Sequence, residues 1–570
     1  MDFMSEYRRW LEFVGEDERA ELNAIASDPK EIEDRFYTGL SFGTAGMRGI
    51  LGAGLNRMNA WNVRRATRAL AKVILGAPGQ AERGVAIAYD SRKFSPEFAR
   101  EAALVLAAAG VKAMLFDSLR PVPVLSYAVR HLHAIAGVVI TASHNPPAYN
   151  GYKVYWEDGG QVAPERAEAI QAMIGETPFS DCAPMDEAEA REKGLLVTIP
   201  ASVDDDYMAM VKGLCVNPEL AREMGPTLKI VYTPLHGSGN VPVRRMLKEL
   251  GFTQVFVVPE QEMPDPAFST VAQPNPEDPA AFTLALKLRE QLGADAVFGT
   301  DPDCDRVGIA VLDEAGKVHI LSGNQIGCLL LDYVLSQKAE RGQLPQNAAV
   351  VQSFVSTEMT RAIAATYGVK VFDVPTGFKY IAEKIQCFED TGEHTFLFGF
   401  EESFGYLSGT QVRDKDGVNA CMLIAETAAF YKKKGMTLYD ALMGLYKKYG
   451  WYLEKTMSHT LTGKDGQAMI GEIMRSLREN PPAEVAGLNV LAVRDYLEGT
   501  RAAGGAVEPI DFPTSNALYF ELEDSAWTAI RPSGTEPKVK LYVGIRESSE
   551  PAARELLDCC AKAALSLMER

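Results

Sequence analysis

The sequence predicts an α/β protein made of three related α/β domains with mixed sheets, followed by a C-terminal α+β domain. Three observations lead there. A strand, polar loop, helix, glycine, strand pattern recurs three times along the chain. After about residue 440 the pattern changes to strands closed by a single helix. The composition, 47% hydrophobic and 24% charged, is that of a globular chain able to bury several cores, and its length divides into roughly three to five domains.

The first repeat runs from Val85–Asp90 through a helical stretch, Pro96–Ala109, to Gly110 and a second apolar run, Val111–Phe116. The next has Leu228–Tyr232, the loop Thr233–Gly239, a helix near Val241–Leu250, then Gly251 and Val255–Val258. The third has Ala348–Val351, the loop Ser353–Ser356, a helix near Thr357–Tyr367, then Gly368 and Val369–Phe372. Each glycine stands where a helix C-cap needs a left-handed residue, and strand–helix–strand is the form of a βαβ unit. In the last ~100 residues, Leu518–Leu522 and Trp527–Arg531 read as neighbouring strands. Val539–Val543 reads as a further strand and Glu550–Met568 as the closing helix. The first ~40 residues are charged and helical in pattern, and are expected to pack on the outside.

A formal charge of -18 argues against nucleic acid or an anionic membrane as the main partner. An anionic substrate can still bind where cations gather in a cleft. The eight cysteines are scattered without CxxC spacing, so no disulfide framework is expected. The N-terminus lacks a basic region followed by an apolar stretch, and apolar runs such as Ala102–Ala109 stop short of a spanning helix. A reducing cytoplasm is the expected location.

Four loops carry the chemistry. Thr141-Ala142-Ser143-His144-Asn145-Pro146-Pro147 follows the apolar run Ile135–Ile140, which reads as a buried strand. In an open α/β sheet ligands bind at such strand ends, so Ser143 is either a nucleophile or a hydrogen-bonding turn residue. The second loop, Gly299–Arg306, contains Asp301, Asp303 and Asp305. In an extended segment these three project to one side. Converged carboxylates repel unless a hard divalent cation resolves the charge, and Mg²⁺ suits a few carboxylate oxygens plus a phosphate. An EF-hand would need Gly at the sixth position and Glu at the twelfth, which here are Arg306 and Leu312. An aspartyl nucleophile or a solvated acidic turn are the other readings. A third loop, Gly399–Tyr406, extends to Arg413–Gly417 and places Glu401, Glu402 and Ser403 at a strand end, where they can bond sugar hydroxyls. The fourth, Arg531–Lys538, joins a guanidinium, two hydroxyls and unobstructed backbone N–H groups, the makings of a phosphate cradle, against a plain β-turn. Gly39–Gly43 fits G-x-S-x-G only by spacing, without the strand before it or the helix after it. No Walker A, HExxH or zinc spacing occurs.

Together these loops resemble those of the α-D-phosphohexomutase superfamily, the phosphoglucomutase/phosphomannomutase enzymes. Thr141–Pro146, Asp301–Arg306, Gly399–Tyr406 and Arg531–Lys538 stand in the family's order over essentially the whole chain, and Ser41–Gly49 matches its N-terminal entry to the site. The Glu-Glu-Ser-Phe-Gly loop and Lys415 resemble the phosphoglucomutase branch. The resemblance implies four domains around a central cleft: 1–200 with the phosphoserine loop, 201–320 with the metal loop, 321–440 with the sugar loop, and 441–570 with the phosphate loop. It implies a phosphoserine at Ser143 and one Mg²⁺ held by Asp301, Asp303, Asp305 and that phosphate. Arg48 and Lys153 would assist transfer, with Arg306 beside the metal. Thr376, Gly377, Lys379, Glu401, Ser403 and Lys415 would hold the sugar. Arg531, Ser533, Gly534 and Thr535 would hold the phosphate that is not reacting.

The implied reaction interconverts glucose 1-phosphate and glucose 6-phosphate through glucose 1,6-bisphosphate, which is both activator and intermediate, with a hinged C-terminal domain closing on the substrate. Some relatives carry a histidine in or just after the third loop as a candidate base. Tyr406–Arg413 has none, and Gln411 lies near that place. His144 and His236 are the substitutes, His236 leaning towards a structural role. Rival enzyme readings are a phosphopentomutase, a phosphomannomutase or a glucose 1,6-bisphosphate synthase, and the rival from another class is a silent sugar-phosphate-binding protein. The expected partners are small-molecule sugar phosphates, without nucleic acid or membrane, for a monomer or weak homodimer.

Overall fold

Each of the three repeats forms a parallel strand pair in the computed structural model, which describes residues 2–43, 46–461, 466–532 and 538–569. The chain divides into two units, residues 1–322 with 385–387 and 403–437, and residues 323–384 with 388–402 and 438–570.

The first unit holds two mixed sheets. One contains β1 (Met47–Ile50), β2 (Val85–Tyr89), β3 (Ala113–Leu115), β4 (Ala136–Ile140), β5 (Tyr149–Trp156) and β6 (Leu196–Thr198), in the order β1-β5-β4-β2-β3-β6. Strands β4, β2, β3 and β6 run parallel, while β5 lies antiparallel between β4 and β1. The other contains β7 (Lys229–Thr233), β8 (Gln254–Val257), β9 (Ala296–Thr300), β10 (Val307–Leu312) and β11 (Val318–Ile320), in the order β11-β10-β9-β7-β8. Here too three parallel strands are followed by antiparallel neighbours. All five residues of β4 are buried, as are those of β9, which explains their continuous apolar runs. Gly110 and Gly251 follow their helices at φ +77° and +100°.

In the second unit β12 (Ala348–Ser353) pairs in parallel with β13 (Lys370–Val374) and β14 (Thr395–Glu401). The first unit also takes in β15 (Gly405–Ser408) and the helix Gly417–Lys433. The second unit also holds an antiparallel sheet of β16 (Trp451–Thr460), β17 (Glu484–Val485), β18 (Leu488–Asp495), β19 (Thr500–Ala503), β20 (Ala506–Pro509), β21 (Leu518–Leu522), β22 (Trp527–Pro532) and β23 (Lys538–Glu547). Its order is β16-β23-β22-β21-β18-β19-β20, with β17 against β18, and the helix Glu550–Ser566 packs on β23 and β16. The three strands expected here occupy the middle of a larger sheet. The others are half exposed and carry less apolar alternation. Among the described residues no helix is long and apolar enough to cross a membrane.

The N-terminal segment is helical, as its pattern predicts. It forms α1 (Phe3–Phe13), α2 (Glu16–Ala24) and α3 (Pro29–Phe36), but these do more than cover a surface. Tyr7, Trp10, Leu22, Ile32 and Phe36 form an aromatic core of their own with Phe179. Trp10 is fully buried, its ring centroid 5.7 Å from Phe36 and 5.5 Å from Phe179. Such edge-on pairs add to the area term. Beside this core α4 (Ala60–Leu75) supplies Trp61. Trp10→Ala should cost about 3–5 kcal/mol. Hydrogen exchange should show α1–α3 losing protection while β7 and β9 keep theirs, and equal loss in both would show that this layer is not a separate cooperative unit.

Candidate functional site

In the first unit the chain leaves β4 and turns sharply, with Ser143 at φ +51°. A serine there is strained by roughly 1–2 kcal/mol, so the surroundings must hold it. Its N–H donates to Thr141 Oγ1 (2.8 Å), and the Thr141 hydroxyl donates to Asp90 Oδ2 (2.6 Å). The buried Arg92 guanidinium does the rest. It donates to the carbonyls of Ser143 (2.6 Å), Asn145, Pro146 (2.9 Å) and Tyr149 (3.1 Å), and lies 5.0 Å from the Phe268 ring. Ser143 Oγ stands 2.7 Å from Asp301 Oδ2 and 3.2 Å from His144 Nδ1. With one proton, it donates to one of them and accepts from the other or remains bare on that side.

The aspartate loop joins β9 to β10, which pair antiparallel with Thr300 opposite Val307. It therefore cannot be extended, contrary to the expectation of alternating side chains. It is a turn: Cys304 is at φ +52° and its N–H donates to the Asp301 carbonyl (2.9 Å). Asp301 Oδ1 accepts the N–H groups of Asp305 (3.1 Å) and Arg306 (3.0 Å), as short acidic side chains do in turns. The turn converges the carboxylates all the same. Asp301, Asp303 and Asp305 are buried, each with an oxygen within 4.8 Å of the others.

Two lysines from other segments meet these acids. Lys153 on β5 lies 2.9 Å from Asp303 and 3.9 Å from Asp305. Lys415 lies 3.1 Å from Asp305 and 3.0 Å from Asp414. Asp414 also accepts from Tyr155 (2.7 Å) and Gln161 (2.8 Å). Glycine is needed twice. A Cβ on Gly405 would stand 2.1 Å from Lys415 Cδ, and one on Gly417 2.5 Å from the Cys304 carbonyl oxygen.

Four buried carboxylates (Asp301, Asp303, Asp305, Asp414) thus face two buried ammoniums, which leaves two negative charges over. Burial, then Asp303 and Asp305, pushes Asp301 well above the usual carboxylate range. Burial likewise raises Asp305. It would raise Asp303 too, but the Lys153 ammonium, a hydrogen bond with Asp301 and the more distant Lys415 charge together outweigh burial and hold Asp303 low. Asp303 Oδ1 and Asp305 Oδ1 are buried without a hydrogen-bond partner among the described residues. An all-oxygen set with two orphaned acceptors and a surplus of two charges fits one hard divalent cation.

Other sequence-selected residues fall around this cluster. Arg48 Nη1 donates to Asn145 Oδ1 (2.8 Å). Arg306 pairs with Glu277 and keeps Nε 3.9 Å from Asp305. Burial, then Arg306 and Arg48, holds His144 well below 6.5, so its ring is neutral at pH 7. His236 is engaged at both nitrogens, by the Met263 carbonyl (2.9 Å) and Thr270 Oγ1 (2.8 Å), which suits a structural role. Ser403 lies in the first unit too, beside Phe404, whose carbonyl accepts the Val307 N–H (3.0 Å).

In the second unit, Gly377 at φ +120° donates its N–H to Glu401 Oε1 (2.6 Å) at the start of the helix Phe378–Thr391. Thr376 precedes it, and Lys379 lies 4.4 Å over the Tyr380 ring. Glu402 accepts from Ser353 (2.7 Å). Arg531 lies near the end of β22, its buried Nε without a hydrogen-bond partner among the described residues, while Ser533, Gly534 and Thr535 lie outside the described residues. Sequence reasoning does not single out Arg92, Asp90, Tyr155 or Asp414. The only signal for them is position, Asp90 and Arg92 just past β2 and Asp414 beside Lys415.

Residues 39–181, 205–316 and 322–449 match the descriptions Phosphoglucomutase/phosphomannomutase, alpha/beta/alpha domains I, II and III. Residues 475–561 match the C-terminal domain of the same series. A phosphoglucomutase of Staphylococcus aureus (strain bovine RF122 / ET3-1) is 39% identical over 520 residues, 90% of this chain and 91% of its own. A putative phosphomannomutase structure from Thermus thermophilus superposes with a TM-score of 0.68 at 24% identity, covering 94% of this chain and all of that one. The Paramecium parafusin structure, a phosphoglucomutase in an open form, gives 0.69 at 17% identity over 94% and 95%. These two likenesses concern the fold.

Calorimetric titration with Mn²⁺ should find one divalent site. Asp303→Asn should weaken it by about 100-fold or more, beyond what outer-shell partners cost. Unchanged affinity in that variant would mean the ion binds elsewhere.

Proposed function

The chain belongs to the phosphoglucomutase/phosphomannomutase family, and we propose that it is the isomerase interconverting α-D-glucose 1-phosphate and glucose 6-phosphate through a phosphoserine at Ser143. The observation that carries this reading is the serine hydroxyl set 2.7 Å from a buried aspartate triad with two orphaned oxygens. The likeness to a phosphoglucomutase over 90% of the chain supports glucose as the sugar.

In the forward step the sugar's free hydroxyl oxygen attacks the phosphorus on Ser143. The new P–O bond forms as the bond to Ser143 Oγ breaks, and the hydroxyl's proton ends on Ser143 Oγ, giving glucose 1,6-bisphosphate and the free serine. Turned over in the site, the bisphosphate returns its other phosphate to Ser143 and leaves as the isomeric monophosphate. Mg²⁺ held by Asp301, Asp303, Asp305 and the serine phosphate would neutralise charge on the transferring oxygens. Lys153 lies within reach of that charge through Asp303, and Arg306 and Arg48 bring guanidiniums to the same loops. His144 is neutral and within 3.2 Å of Oγ, so its Nδ1 can pass a proton to or from the serine oxygen. Lys415 ties the sugar loop to the metal loop by bonding Asp305. Thr376, Gly377, Lys379, Glu401 and Ser403 are assigned to the sugar hydroxyls, and Arg531, Ser533, Gly534 and Thr535 to the distal phosphate. Arg92 is a positioning residue, since it grips the serine loop by its carbonyls and not by the serine hydroxyl.

The test is Mg²⁺-dependent conversion of glucose 1-phosphate primed with glucose 1,6-bisphosphate, with mannose 1-phosphate and ribose 1-phosphate alongside. Ser143→Ala should lose about 10⁴-fold or more in kcat. Fast turnover of another sugar alone would replace the substrate, and release of bisphosphate as the main product would make the chain a synthase. Arg92→Lys keeps the charge but loses the planar fork. It should lower kcat about 10- to 100-fold with KM nearly unchanged, and an unaltered kcat would show that the loop needs no clamp.

A further inference from the structure

Apart from the serine and aspartate loops, the first unit contains a cavity of about 750 Å³ lined by residues of α1, α4 and the segment 175–184. A volume of this size suits a small organic ligand. Phe13, Trp61 and Phe179 supply its aromatic lining, with Phe13 and Phe179 stacked at 5.4 Å and Trp61 edge-on to Phe13 at 5.0 Å. Three arginines line the same space: Arg9, Arg64 and Arg65.

The three guanidiniums are unequal. Arg64 lies over the Trp61 ring at 5.1 Å and is neutralised by Glu101, at 2.6 and 2.9 Å. Arg9 is largely exposed and has Glu6 at 3.2 Å. Arg65 is half buried and makes no ion pair among the described residues. Its Nε donates to the Thr177 carbonyl (2.7 Å), and its Cζ lies 4.9 Å over the Phe179 ring. Burial disfavours its charge, a cost that an anion beside it would offset. Arg68 lies three residues on along the same face of α4, with a buried Nε that has no acceptor among the described residues. Against this positive charge the lining sets one carboxylate, Glu176. Glu176 and Ser180 are also the only lining side chains with an acceptor oxygen, too few for a ring of sugar hydroxyls.

We infer that this cavity is a second ligand site, separate from the aspartate cluster, for a small planar aromatic anion such as a purine nucleoside monophosphate. The base stacks on the Trp61 and Arg64 surface, and the phosphate takes the two Arg65 nitrogens that are not committed to Thr177. A bidentate, charge-assisted contact to a half-buried guanidinium is among the stronger polar contacts a protein makes.

The probe is adenosine 5′-monophosphate, with phenyl phosphate as the minimal aromatic anion and glucose 6-phosphate and inorganic phosphate as controls. Binding to the whole protein is followed by calorimetry and by tryptophan fluorescence. Adenosine monophosphate should bind saturably at sub-millimolar concentration and quench fluorescence, and Trp61→Phe should remove most of the quench. Arg65→Ala should weaken binding at least about tenfold, with Arg65→Lys in between and the turnover of glucose 1-phosphate unchanged as the check on folding. The inference is overturned if adenosine monophosphate and phenyl phosphate both fail to bind below millimolar concentration. It is also overturned if both Arg65 variants bind normally, or if glucose 6-phosphate displaces the nucleotide competitively, which would place it in the sugar-phosphate site.

Discussion

Carboxylates held out of water at a surplus of two charges set the terms for the rest of the first unit. A lone buried ion costs several kcal/mol even after relaxation, so Asp301, Asp303 and Asp305 persist only because other segments answer them. Lys153 comes from β5 and Lys415 from the stretch after β15, while backbone N–H groups of the turn itself satisfy Asp301. The lysines stop short of full compensation. Among the described residues two oxygens find no partner, which is the difference between a structural ion-pair network and a place prepared for a cation. Gly405 and Gly417 follow from the same demand, because side chains there would push Lys415 and the metal loop apart.

The serine is held by different means. Its strained backbone is fixed through main-chain carbonyls by one guanidinium, and through Thr141 by an aspartate that also accepts from Ser95 (2.7 Å). Position and charge are thus separated: Arg92 and Asp90 set where Ser143 is, and the aspartate cluster sets what stands opposite it. This separation lets the oxygen be presented to an incoming group without the loop shifting as charge develops.

Much of this is legible in the sequence, for identifiable reasons. The βαβ repeats announce themselves because β2 and β7 are almost wholly buried and the helices that follow them end in glycine. Spacing alone selects the three aspartates, although the extended geometry it suggests is wrong. A hairpin connection cannot be extended, and the convergence comes from a turn with Cys304 in the left-handed region. Family resemblance links Lys415 to the sugar, while its bonds to Asp305 and Asp414 have no counterpart in the sequence pattern. Arg92, Tyr155 and Asp414 give little local signal, since the bonds from Arg92 to the Ser143 carbonyl and from Tyr155 to Asp414 span 51 and 259 residues of chain. Strands β16 and β18–β20 escape notice because half-exposed antiparallel strands carry weak patterns. The N-terminal core does so because its partners, Trp61 and Phe179, come from later in the sequence.

The Arg92 clamp has a consequence for how this loop can change over generations. It grips carbonyl oxygens, which every amino acid possesses, and it ignores the side chains of residues 143–149. Drift in those side chains is therefore nearly invisible to the clamp, while a change at Arg92 is felt by every residue it holds. The shape of the loop is inherited through one distant codon rather than through its own, and a lineage could rewrite much of the loop's chemistry while leaving its path through space intact.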